Sequence, residues 1–214
     1  MKEERGHSHE DEEEESHDEE EHFLHSAEET EEEHNEHVHT MDEHVWTSPG
    51  NAIDIVEHIT EELCSLDSEH GQTYKDNAEA YETQLKELDT AFRDVVENAK
   101  NHTLLFGDRF PFRYFAAEYG LEYYAAFSGC ASDTEPSAAT MAFLINKVKE
   151  EHIPVVLKME LSNDNIANAI AEACDVPVKV FYSSHNISAK QFEAGVTYLD
   201  LMKENVETLK EALR

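Results

Sequence analysis

Residues 103–128 read TLLFGDRFPFRYFAAEYGLEYYAAFS, and this stretch decides the fold. TLLFG is a short apolar run of the kind that forms a buried strand. PFRYFAAEYG has helical spacing and ends on glycine, and EYYAAFS is apolar and aromatic again. Strand, helix and strand in such quick succession are the rhythm of a parallel α/β sheet.

The alternation continues downstream through PSAATMAFLINKVKEE (136–151), IPVVLKME (153–160), NDNIANAIAEAC (163–174) and VKVFYS (178–183). The expected fold is therefore α/β, with about four parallel strands flanked by helices. A closing helix is expected to carry Phe192, Val196, Leu199, Met202, Val206, Leu209 and Leu213 as one stripe, behind a capping box of Ser188 and Gln191. In an open sheet of this kind ligands bind at loops beyond the strand C-termini, here 107–112, 127–135, 159–163 and 183–188.

Upstream, Ser48 suits an N-cap and Pro49 a first helical position, and Ile53, Val56, Ile59 and Leu63 share a face; the spacing predicts a helix over 50–66. Tyr74, Ala78, Tyr81, Leu85, Leu88, Phe92 and Val95 recur at alternating steps of four and three, which predicts a long helix over 70–100. Before residue 42 there is almost nothing to bury. Phe23 and Leu24 stand alone among runs such as EDEEEES, so ordering entropy should win and leave a disordered acidic arm. Three parts follow: an arm at 1–41, a linker and long helix at 42–101, and an α/β lobe at 102–214.

The formal net charge is −33. Residues 1–45 hold 20 Asp or Glu against only Lys2 and Arg5, so the arm carries about half of that charge. Such a balance excludes nucleic acid and anionic lipid as partners, because both need Lys and Arg to displace counterions or meet a negative surface. Cations are the natural partners. Cys64, Cys130 and Cys174 are widely spaced and form no CxxC pair, so no disulfide framework is expected. No nucleophile with an adjacent base, phosphate loop or paired buried carboxylates stands out, and an enzyme is not expected.

Nine of the 14 histidines lie at or before residue 44, and imidazole beside carboxylate is a ligand set that suits Zn2+. His34, His37 and His39 are candidates for weak, transient sites in the arm. His44 differs from them, because it stands beside Trp46 just before a capped helix and its ring could be held in one place. Cys130 could supply a thiolate or serve as a small apolar filler. His58, His70, His102 and His152 read as structural.

Asp42-Glu43-His44-Val45-Trp46-Thr47-Ser48-Pro49 resembles the DPHVWLSP signature of the zinc and manganese solute-binding proteins of ABC importers, the cluster A-I type. In that family the histidine is a metal ligand. The resemblance covers 42–214: the long helix resembles the family's rigid interlobe helix, and GDRFPFRYFAAEYGL resembles its HDAFGYFAKRYGL segment. A histidine-rich acidic loop ahead of the signature marks the zinc-type members.

The resemblance implies a further ligand at the Asp108-Arg109 neighbourhood, of which only Asp108 can bind a cation, and a last ligand after the final strand. The family has an acid there; this chain has Ser183-Ser184-His185-Asn186, and the role passes to His185. Glu160 resembles the acid of the family's FxEP segment and could equally pair with Arg109. Zn2+ is favoured over Mn2+, which tolerates a harder oxygen set. The implied partners are an ABC permease in the membrane and an N-terminal lobe encoded separately or upstream.

MKEERGHSHE has no apolar core of a signal peptide, so the chain reads as the C-terminal portion of a longer extracytoplasmic protein, a periplasmic or cell-surface lipoprotein. The alternative is a stand-alone acidic metal buffer in which the arm works by itself. Under either reading neutral imidazole is the donor. Zinc uptake should therefore weaken as the pH falls through about 6.5, the ordinary histidine value. Calorimetric titration on either side of that pH checks this; binding independent of pH would exclude imidazole as the ligand.

Overall fold

The computed structural model describes residues 42–128 and 135–214. The arm, and with it His34, His37 and His39, lies outside the described residues, as does Cys130.

After a short 3-10 turn at Val45–Thr47, α1 spans Pro49–Leu66 and α2 spans Gly71–Glu97. Ser48 caps α1 by accepting the Asn51 N–H, and Pro49 takes the first turn, where its missing N–H costs nothing. A second 3-10 turn, Ser68–His70, separates the two helices. α2 has 27 residues and so extends about 40 Å.

Then come β1 (Thr103–Phe110), α3 (Arg113–Tyr119), β2 (Glu122–Ser128), α4 (Ala138–Glu150), β3 (Val156–Lys158), α5 (Asn165–Cys174) and β4 (Val178–Val180). The strands form one parallel sheet in the order β2-β1-β3-β4. The expected four-stranded α/β fold is the one found.

Both faces of β1 are buried, as a parallel strand requires. Leu104, Phe106 and Phe110 join Leu85, Leu88 and Phe92 of α2, Phe115 of α3 and Leu209 near the C-terminus in one core. Leu105 faces the other way, with Leu144 and Val148 of α4 and Ala167 and Ile170 of α5. Period-2 alternation thus sends successive residues of β1 into two separate cores.

The sheet order reverses between β1 and β3, since the chain leaves β1 for one neighbour and later returns to the other side. In open α/β sheets ligands bind beyond the strand C-termini at such a switch point.

Three expectations need correction. The closing helix is two helices, α6 (Ala189–Glu193) and α7 (Tyr198–Ala212). Gly195 turns the chain at φ 70°, and a second capping box of Thr197 and Asp200 starts α7, so the stripe breaks and Phe192 is left exposed. β1 runs on to Phe110, so the expected loop at 107–112 is mostly strand, with a register shift between Phe106 and Arg109. On α1, Ile53 and Val56 pack on the core, but Ile59, Leu63 and Leu66 are exposed. A shared helical face says which residues lie together, not whether a neighbour covers all of them.

Gly107 sits where α5 crosses the sheet. A Cβ at this position would lie 2.9 Å from both the main-chain N and the Cβ of Ala167. Gly107→Ala should therefore cost about 2–3 kcal/mol, because backbone and not a flexible side-chain tip must give way. Urea unfolding of the full chain measures it; an unchanged midpoint would mean that α5 slides freely.

Candidate metal centre

The segment ahead of α1 is fastened at several points. The Ser48 hydroxyl donates to the Glu118 carboxylate, which also accepts from Arg93 at 3.1 Å. Tyr114 donates to the Asp42 carbonyl at 3.0 Å, and Tyr198 donates to the Trp46 carbonyl at 2.8 Å. Burial pushes the Tyr198 phenol well above its ordinary value, which keeps it a neutral donor. The His44 carbonyl accepts the Thr47 hydroxyl at 2.7 Å.

Within this frame His44 is oriented by Asp42. One carboxylate oxygen lies 3.0 Å from the His44 main-chain N and 2.8 Å from Nδ1. A carboxylate only accepts, so in the neutral ring Nδ1 carries the hydrogen and Nε2 keeps the lone pair. The carboxylate–imidazole arrangement is the support that metal-binding histidines use. The His44 side chain is 12 % exposed and that of Asp42 11 %.

His185 arrives from the far end of the sheet, beyond β4. Asn205 of α7, fully buried, gives and takes hydrogen bonds with the Tyr182 main chain at 2.8 and 2.7 Å. Glu160, at the end of β3, accepts the Ser183 N–H at 2.8 Å and the Ser183 hydroxyl at 2.6 Å. The Ser183 carbonyl accepts the Trp46 indole N–H at 2.9 Å. Ser184 and Leu161 follow with φ of 58° and 56°, left-handed values that cost a side-chain-bearing residue about 1–3 kcal/mol.

The outcome is a cluster of three rings. His44 and His185 have ring centroids 6.0 Å apart, and Trp46 lies 5.5 Å from the first and 6.0 Å from the second. His185 is exposed and His44 largely buried. Two imidazoles at this separation can present nitrogens to one divalent ion, beside an indole that shields one side from water.

Asp108 does not join them. It sits on β1, not in a loop, and its carboxylate accepts the main-chain N–H of Arg109 at 2.8 Å and of Met159 at 3.0 Å. It is buried, and it ties β1 to the end of β3 across the switch point. The acid thus completes main-chain hydrogen bonding that the register shift leaves open. Glu160, in turn, takes Ser183 as its partner. Among the described residues no group of three or more His, Cys, Asp or Glu is arranged to hold a metal ion.

Among the described residues, His58 and His70 have partners of their own on other elements. His58 bonds to the Asp54 carbonyl on α1, which, with the surrounding Glu61 and Glu57, raises its pKa. His70 pairs with Asp67 at the α1–α2 turn. Sequence reasoning missed the contributions of Asp42, Ser183, Tyr198 and Asn205. Only Asp42 gave a local signal, an acid two positions before a histidine; the others act across distances that no pattern encodes.

A family model described as "Zinc-uptake complex component A periplasmic" matches residues 2–212. The zinc-binding lipoprotein AdcA of Streptococcus pneumoniae is 33% identical over 186 residues, which is 86% of this chain and 37% of that protein. The high-affinity zinc uptake system protein ZnuA of Bacillus subtilis is 31% identical over 175 residues, 82% of this chain and 54% of that protein. The chain thus spans about a third to a half of the length of these relatives. Among solved structures, the Zn(II)-bound ZnuA-like domain of the pneumococcal AdcA aligns with a TM-score of 0.69 at 32% identity, over 81% of this chain and 64% of that one. The metal-dependent lipoprotein YcdH from Bacillus subtilis aligns with a TM-score of 0.72 at 30% identity, over 83% of this chain and 66% of that one.

The link between the two ends of the cluster is the bond from the Trp46 indole to the Ser183 carbonyl. Trp46→Phe keeps a ring in place but removes the donor, and should destabilise the chain by about 1–3 kcal/mol. Chemical denaturation checks this; an unaltered stability would mean that water replaces the indole at no cost.

Proposed function

We propose that this chain, which belongs to the family of periplasmic component A of zinc-uptake complexes, is the C-terminal portion of a solute-binding protein that captures Zn2+ outside the cytoplasm and delivers it to an ABC permease. No bond is made or broken in this cycle, and Zn2+ is the cargo. The observation that carries the reading is the His44–His185 pair, with rings 6.0 Å apart and the Nδ1 of His44 held by Asp42.

Zinc takes four donors in a tetrahedron, and the pair supplies two of them as neutral nitrogens. The others belong to the N-terminal lobe of the parent protein, and the arm histidines His34, His37 and His39 bind only weakly and transiently. Asp108 contributes to the shape of the site through β1 and β3 and not as a donor. The division into an arm at 1–41, a linker and interlobe helix at 42–101 and a lobe at 102–214 belongs to this proposal. The exposed Ile59, Leu63 and Leu66 support a further lobe packing on α1, since an uncovered apolar face of this size is costly in water.

The acidic arm acts as a collector. Its carboxylates raise the local concentration of cations, its imidazoles bind them briefly, and the ion passes to the better-supported pair. Imidazole donors favour Zn2+ over Mn2+.

Zinc titration of the full chain by calorimetry tests the assignment. His44→Ala and His185→Ala should each weaken the tightest site at least about tenfold. Removing residues 1–40 should lower the number of ions bound while leaving that site in place. Loss of nearly all binding on this deletion would instead make the arm the metal buffer and sink the transporter reading.

A further inference from the structure

We infer that Glu160 is a positioning residue for the imidazole pair, acting on His185 and Trp46 through Ser183. The inference rests on the assignment of His44 and His185 as zinc donors, and deepens it.

Glu160 is a buried carboxylate at the end of β3, and both of its oxygens serve one residue. By accepting the main-chain N–H and the hydroxyl of Ser183 together, it fixes the backbone and the rotamer of that residue at once. Every polar group of Ser183 is then committed. Its hydroxyl oxygen accepts the His185 N–H at 3.2 Å, and its carbonyl accepts the indole of Trp46 at 2.9 Å. One carboxylate thus sets the turn that presents His185 and the bond that brings Trp46, and with it the His44 segment, against that turn.

The backbone around this clamp points the same way. Leu161 directly follows Glu160, Ser184 directly follows Ser183, and both are left-handed. Strain of this kind persists only where neighbouring bonds hold it. An apolar residue at 160 could fill the volume, but it could hold neither donor of Ser183. A direct ligand role for Glu160 would compete with those two donors.

Trp46 is the only tryptophan in the chain, so its emission reports on this cluster. The experiment uses the full chain as wild type, Glu160→Gln and Ser183→Ala, with Zn2+ as the probe. Two readings are taken at neutral pH: the emission maximum of the metal-free chain, and the zinc concentration at which the emission changes. Helical content by circular dichroism controls for folding.

Glutamine offers one acceptor oxygen to two donors, so Glu160→Gln should shift the metal-free emission to longer wavelength. It should also raise the zinc concentration needed about tenfold. Ser183→Ala keeps the main-chain bond and should shift both in the same direction by less; it carries the test should the first variant fail to fold. Emission and affinity both unchanged in folded variants would overturn the inference, as would weakened affinity with unshifted emission. If no protein responds to zinc but the variants still shift the metal-free emission, the positioning role stands and the zinc assignment of the pair is what fails.

Discussion

Phe106 of β1 packs against Phe110, Phe112 and Phe181, with ring centroids 5.1, 5.2 and 6.1 Å away. This aromatic contact joins the central strand to the segment that continues β4, and burying each such ring contributes about 2–3 kcal/mol. Phe181 is fully buried, and the chain beyond it runs directly to the Tyr182 pinned by Asn205, the Ser183 held by Glu160 and the exposed His185. The loop that carries His185 is therefore the solvent-facing end of this core, and it inherits its position from that core.

The opposite half of the pair is fixed by different means. His44 precedes α1, and its place depends on hydrogen bonds that reach α3 and α7: Ser48 to Glu118, Tyr114 to Asp42 and Tyr198 to Trp46. Trp46 and Ser183 stand 137 residues apart in the chain, yet the indole bond closes the gap between the two halves. The His185 loop thus leans on a hydrophobic core as well as on hydrogen bonds, whereas the His44 segment rests mainly on a polar frame.

Charge works at a longer range. A chain with a net charge of −33 draws cations toward itself whatever its fold, but carboxylates alone discriminate poorly among divalent ions. Nitrogen donors discriminate better when their rings are held in place, and the bond between Asp42 and His44 holds one imidazole in this way. The composition is split in the same way: acids and histidines crowd residues 1–41, whereas the ring pair is built from residues spread along the rest of the chain.

The periodicities of residues 49–97 and the strand–helix rhythm of 103–183 determined the element order and the parallel sheet, because burial on two faces or one stripe leaves a pattern in the sequence. DEHVWTSP likewise marked His44, and the end of the last strand marked His185. The Phe192–Leu213 stripe misled, because a pattern of apolar residues does not register a left-handed glycine and a second cap. Asp108 shows a related limit: nothing local says that its carboxylate will bond to the main chain of Arg109 and Met159. The sequence by itself, then, determined the elements, which depend on neighbours a few residues away, and the residue types available for a site. Only the tertiary structure decided which rings meet and which acids hold them, because Glu160, Ser183, Trp46 and His44 come together through contacts between distant segments that leave no periodic trace.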